Sequence, residues 1–154
     1  MHNAVAEEQS DRESRESNLL IFGLPECESS SEEERQEKSK LSANEVLTVL
    51  GVDLNKIKSY HRFRKSNSSK PSIIKLQLQN PSDRFIIIKK AKELRLKGDS
   101  YSKVFINFDL TFAQRNLRRQ LVTDCKEKNR TNSNTDKIYV IRNNAVKLIT
   151  KKDQ

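Results

Sequence analysis

"NLLIFGLPE", Asn18 to Glu26, is an apolar run closed by Gly23 and Pro25 with acidic residues to either side. A short β-prone segment ended by turn formers reads as a strand over Leu19 to Leu24. A buried strand of an enzyme and the first strand of a nucleic-acid-binding sheet both look like this. The surrounding sequence decides between them.

Upstream, "MHNAVAEEQSDRESRES" is polar, mixed in charge and free of Gly and Pro, so residues 1–17 are expected as a frayed helix or disordered arm that adds no core. This stretch lacks the apolar core of a signal peptide, and no segment approaches a membrane span, which predicts an intracellular chain. Downstream, Ser31 precedes Glu34 in capping-box order, and Ala43, Val46, Leu47 and Leu50 fall on one helical stripe closed by Gly51. "IKSYHRFR" (57–64) is β-prone and basic, and the polar loop "KSNSSKP" leads to "SIIKLQLQ" (72–79). There Ile74, Leu76 and Leu78 alternate with Ile73, Lys75 and Gln77, so one face enters a core and the other presents a lysine.

A second helix is expected from Asn80 as cap and Pro81 as first helical residue, burying Ile87, Ile88, Ala91 and Leu94. "KVFINFD" (103–109) is a fourth strand, completing the order βαββαβ. Thr111 and Gln114 then form a further capping box, opening a helix with Ala113, Leu117, Leu121 and Cys125 on one face. Asn143-Asn144 sits between two β-prone runs and predicts a hairpin, because Asn tolerates positive φ. No internal repeat is present.

A chain of 154 residues holds one domain with a real core, or a small domain with an appendage. Residues 1–50 carry 5 Lys/Arg against 12 Asp/Glu, and residues 51–154 carry 25 against 9, so an acidic head of −7 precedes a basic body of +16. A body of that sign attracts polyanions, nucleic acid before an anionic membrane surface. Cys27 and Cys125 match no metal or redox spacing and read as reduced thiols. Three glycines leave no phosphate-cradling loop, and no nucleophile-base-acid set or clustered His/Asp/Glu stands out, so neither catalytic nor metal-ligating residues nor a cofactor are predicted. His61, with His2 far away, reads as an ordinary strand histidine.

The order βαββαβ predicts an α+β fold of the ferredoxin-like plan, an antiparallel sheet with two helices on one face. RNA-recognition motifs bind RNA on the free face, by aromatic stacking from the first and third strands. Aligning "LIFGLP" and "SIIKLQL" with those strands predicts Ile21, Ile73 and Lys75 at the stacking positions, with Leu20 and Phe22 inward. No aromatic then occupies a stacking site, Phe105 and Tyr60 are expected in the core, and phosphate contacts become the expected source of affinity.

"DRESRESNLLIFGLPE", "YHRFRK", "KPSIIKLQLQNPSDRFIIIKKAKELR", "VFINFDLTFAQRNLRRQLVTDCKEKN" and "IYVIRNNAVKLI" resemble, in this order, the nucleic-acid-binding half of the first open-reading-frame protein of non-LTR (LINE-type) retrotransposons. The resemblance runs from Asp11 to the C-terminus. It implies an RNA-recognition-motif-like domain over 18–109 and a small helix-plus-hairpin domain over 110–154, together gripping single-stranded RNA or single-stranded DNA as a nucleic-acid chaperone. It further implies a ribonucleoprotein, cytoplasmic or nuclear, and a homo-oligomer formed through an N-terminal coiled coil of which residues 1–17 are a truncated remnant. By position, Arg62, Arg64, Lys65 and Lys70 resemble the family's basic second-strand edge, Arg115, Arg118 and Arg119 lie in the helix after the fourth strand, and Arg142 and Lys147 in the terminal strands. Lys75 joins this nucleic-acid-binding set from the face argument alone. The alternative is a protein-interaction module of a ribonucleoprotein, docking through exposed Ile21 and Ile73. Salt separates the two, since phosphate-driven binding weakens steeply with ionic strength.

Overall fold

The computed structural model describes residues 3–65 and 69–153. Along the chain run helix α1 (Asn3–Arg15), strand β1 (Asn18–Phe22), helix α2 (Glu32–Val49), strands β2 (Ile57–Arg62) and β3 (Ile74–Leu78), helix α3 (Asp83–Ala91), strand β4 (Phe105–Phe108), helix α4 (Phe112–Thr131) and strands β5 (Lys137–Arg142) and β6 (Ala145–Thr150). The fold is α+β. Four strands form one antiparallel sheet in the order β2-β3-β1-β4, and β5 pairs with β6 in a second sheet. Contacts gather Ser10–Asp109 into one compact unit and the rest of the described chain into another. Part of the polar loop expected between the second and third strands, residues 66–68, lies outside the described residues, as do residues 1–2 of the expected arm and Gln154.

Period-two alternation sets the inner face of the larger sheet. Leu19 and Ile21 of β1, Ile74, Leu76 and Leu78 of β3, and Ile106 of β4 are all buried, and Ala43, Val46 and Leu47 of α2 with Ile87 of α3 close over them. β1 therefore faces the other way from the sequence expectation. Ile21 is 0% exposed, whereas Leu20 and Phe22 lie on the outer face. β2 carries a register shift between Ile57 and Ser59, which oppose Leu78 and Gln77 respectively. The extra residue, Lys58, puts Ile57, Tyr60 and Arg62 on one face, although regular alternation would separate Ile57 from the other two. The Tyr60 ring packs against the core with Lys40 above it at 5.8 Å, and its hydroxyl donates to Asn44.

At the end of β1 the chain turns at Gly23 with φ of +87°, and a Cβ there would come within 1.9 Å of the Lys103 carbonyl oxygen. No larger residue fits beside that backbone. At the start of β1, Asn18 is buried with its amide donating to Asp109 at 3.0 Å, and Arg15 pairs with the same carboxylate at 2.8 Å. α1 is a helix, and like the expected arm it buries none of its residues.

Ser31 caps α2 through the Glu34 amide at 3.3 Å, but the Glu34 carboxylate accepts from Ser29 Oγ at 2.6 Å instead of returning to Ser31. α3 begins later than expected. Asn80 Oδ1 accepts from the Ser82 amide at 3.0 Å and from Ser82 Oγ at 2.8 Å, so it holds a local turn and Asp83 becomes the first helical residue. The buried stripe is as expected: Ile87 and Leu94 are buried, and Ile88 and Ala91 pack against the core.

In the smaller unit, both halves of the Thr111 capping box form, at 3.1 Å and 2.9 Å, and the buried Thr111 hydroxyl donates to Glu8 at 2.7 Å. The β5–β6 turn is Asn143-Asn144 with φ of 52° and 56°, the mirror-image turn that matches strand twist. Asn129 pins the hairpin to α4 by donating to the Tyr139 carbonyl at 2.8 Å and accepting from its amide at 2.7 Å. The hairpin is thus fastened to the C-terminal half of α4. Leu121 and Cys125 of the expected stripe are half-buried, whereas Ala113 and Leu117 at the other end are exposed.

Candidate nucleic-acid interface

Strand pairing arranges the outer face of the larger sheet in rows. One row crosses all four strands through directly opposed residues, Asn107 to Leu20 to Lys75 to His61. The next holds Phe105 opposite Phe22, then Ile73, whose carbonyl accepts the Phe63 amide at 2.9 Å. On the other flank lie Asn18, Gln77 and Ser59. An aromatic and aliphatic row therefore adjoins a row carrying Lys75 and His61. Phe105 is 58% exposed and Phe63 39%, and the Phe63 and His61 rings meet edge to face at 5.7 Å.

This overturns the expectation of an aromatic-free face. The sequence does not signal Phe22, Phe63 and Phe105 as outer-face rings: β1 is apolar at both parities, the bulge in β2 sets the side on which Phe63 falls, and strand aromatics such as Phe105 usually enter a core. Flat, exposed rings beside a cation can stack on any base, and they need no hydrogen-bond code to do so. Ile73 and Lys75 lie on the outer face as expected.

The basic residues divide. Arg64 and Lys65 follow β2 and are exposed, Lys65 reaching Glu26 at 3.5 Å, and Lys70 is exposed in the loop beyond. The Glu26 carboxyl is held below its ordinary value: burial raises it, but hydrogen bonds from the Ser72 side chain and amide and the Lys65 ammonium outweigh that. Arg62 is not a surface contact. It is 7% exposed, on the inner side of β2, with Nη1 donating to the Pro25 carbonyl at 2.8 Å and Nη2 to that of Leu24. Burial lowers its pKa, opposed by the charges of Glu26 and Cys27. This guanidinium fastens the end of β2 to the loop after β1.

In the smaller unit Arg115, Arg118 and Arg119 are all exposed on α4, at i, i+3 and i+4, spacings that put them on one side of the helix. Arg119 touches Asn116 at 3.3 Å, and Arg115 reaches the Leu110 carbonyl at 3.5 Å. Lys147 is exposed opposite Val140, and Arg142 donates to the Asp153 carbonyl at 2.9 Å. Arg142 and Lys147 thus share the hairpin, and the three arginines share α4.

No family model matches the chain, and no curated protein is similar to it. Among the described residues no group of three or more His, Cys, Asp or Glu is placed to hold a metal ion, and no helix is long and apolar enough to cross a membrane.

Proposed function

We propose that the chain binds single-stranded nucleic acid, RNA before DNA, across the outer face of its larger sheet, and acts as a nucleic-acid chaperone rather than an enzyme. The observation that carries this reading is the pair of adjoining rows, Phe105-Phe22-Ile73-Phe63 beside Asn107-Leu20-Lys75-His61. Bases stack on the first row, and Lys75 of the second, with Arg64 beyond the strand end, meets the phosphates. The antiparallel order β2-β3-β1-β4, reached through β1, α2, β2, β3, α3 and β4, supports an RNA-recognition-motif-like plan, in which the two central strands are those that contact RNA. The five segments that resemble the LINE-type first open-reading-frame protein support a role as the coating protein of such an element. The exposed arginines of α4 supply a second, sequence-independent grip.

The protein-docking alternative rested on Ile21 and Ile73; Ile21 is fully buried, which leaves Ile73, half-buried on the outer face, without its companion. Fluorescence anisotropy of a labelled single-stranded RNA, titrated across a salt series, tests the proposal. Binding that weakens steeply with salt and is lost when Phe22 and Phe105 are changed together to Ala is the expected result. Absent or salt-insensitive binding would sink it.

A further inference from the structure

At the edge of the sheet beyond Phe63, the loop after β1, the start of α2 and the end of β2 enclose a cleft of about 810 Å³, a size suited to a small ligand. Arg62 lies along it, and among the described residues its Nε is the buried side-chain nitrogen or oxygen left without a hydrogen-bond partner. Its Nη atoms meet only carbonyls, and no carboxylate among the described residues stands within ion-pair distance. The fold has buried a cation with no carboxylate in direct contact, Glu26 acting on it only from a distance, which favours an incoming anion.

A bare anion does not match the rest of the lining, since Glu26, Glu28 and Glu32 share the same walls. Two of these are occupied: Glu26 accepts from Ser72 and Lys65, and Glu32 from Arg35 and Gln36. Among the described residues Glu28 has no hydrogen-bond or ion-pair partner, and Arg64 has none within hydrogen-bond distance, its charge acting on Glu32 from further off. The cleft thus offers an acceptor and a donor without hydrogen-bond partners, beside a guanidinium that no carboxylate touches, with the Phe63 and His61 rings at its mouth. A ligand that fits carries a phosphate and a flat ring bearing an exocyclic amino group.

We propose that this cleft receives a single nucleotide, splayed off the end of a strand lying on the outer face, with its phosphate at Arg64 and Arg62 and the exocyclic amino group of its base donating to Glu28. The proposal rests on the nucleic-acid reading above and deepens it. Phe63 and His61 make the passage continuous, since both line the cleft and both belong to the rows of the outer face. An amino-bearing base is preferred over uracil, because a carboxylate pairs with cytosine N4 and has no partner on the uracil O4 that replaces it.

The test is titration of the full chain, isotope-labelled for amide NMR, with cytidine 5′-monophosphate and uridine 5′-monophosphate, and separately with oligocytidylate. The cytidine nucleotide is expected to shift the amides of Glu28, Ser29, Phe63 and Arg64 saturably and to bind roughly fivefold or more tightly than the uridine nucleotide. Glu28→Gln should erase that preference, and Arg64→Ala should weaken both nucleotides. Both positions are exposed, so neither change threatens the fold. Equal affinities, or shifts confined to Phe22 and Phe105, would overturn the cleft. Oligocytidylate bound with the cleft amides unmoved would also overturn it while leaving the outer-face reading intact. Cytidine monophosphate in the cleft without oligocytidylate binding would remove the outer-face reading and keep the nucleotide site.

Discussion

The two faces of the larger sheet are built from alternate residues of the same strands and do opposite things. Leu19, Ile21, Ile74, Leu76, Leu78 and Ile106 are each at most 5% exposed, and they bind helices to sheet. Their neighbours Leu20, Phe22, Ile73, Lys75, Phe105 and Asn107 lie on the outer face, as half-buried or exposed side chains. Adjacent residues thus serve stability and, on the proposed function, recognition separately. Substitutions one position apart should therefore move different observables.

The largest effect is expected on the inner face. Leu76→Ala removes a fully buried side chain from the middle of β3 and should cost about 2–5 kcal/mol, read as a lower denaturant midpoint, with RNA affinity of the folded fraction unchanged. On the outer face, Phe105→Ala should cost less than about 1 kcal/mol of stability. The same change should weaken single-stranded RNA by roughly 5- to 100-fold in anisotropy titrations, the worth of about 1–3 kcal/mol of stacking. A stability loss at Phe105 equal to that at Leu76 would erase the distinction between the faces.

Charge should sharpen the comparison further. Changing Arg115, Arg118 and Arg119 together to Ala should lower the slope of log affinity against log salt by about 2, at roughly 0.7 per phosphate contact, with the melting temperature held. The smallest effect is expected from Glu26, whose folded pKa lies below its ordinary 4.5. A carboxyl lowered on folding contributes stability above its unfolded pKa and loses it as pH falls through the folded value. Wild type should exceed Glu26→Gln by about 1 kcal/mol at pH 7, and the gap should close below pH 4.5 in acid denaturation series.

What could be read in advance follows from how unambiguous each local signal is. β3 alternates strictly between apolar and polar after Ile74, so its facing was legible, as were the Thr111 capping box and the Asn143-Asn144 turn, where the residue types dictate the backbone. β1 reads Leu-Leu-Ile-Phe, apolar at both parities, so periodicity alone leaves two facings and only packing chooses between them. That ambiguity hid the aromatic row. Asn80 and Ser82 compete to start α3, and the local Asn80 turn wins. Arg62 was misplaced for a different reason: a bulge leaves no mark in composition or periodicity, yet it moves every later side chain to the other face.

The extra residue in β2 is one residue of slack in the strand. With Lys58 removed and pairing held from Ile57, Ser59 alone would oppose Gln77, and Tyr60, His61 and Arg62 would keep the partners and faces they have with the bulge. A three-nucleotide deletion there would thus close the bulge without unfastening Arg62, whereas one residue inserted between Tyr60 and Arg62, with pairing held up to Tyr60, would turn the guanidinium to the other face. Selection on this stretch should accordingly tolerate both replacement and loss of Lys58.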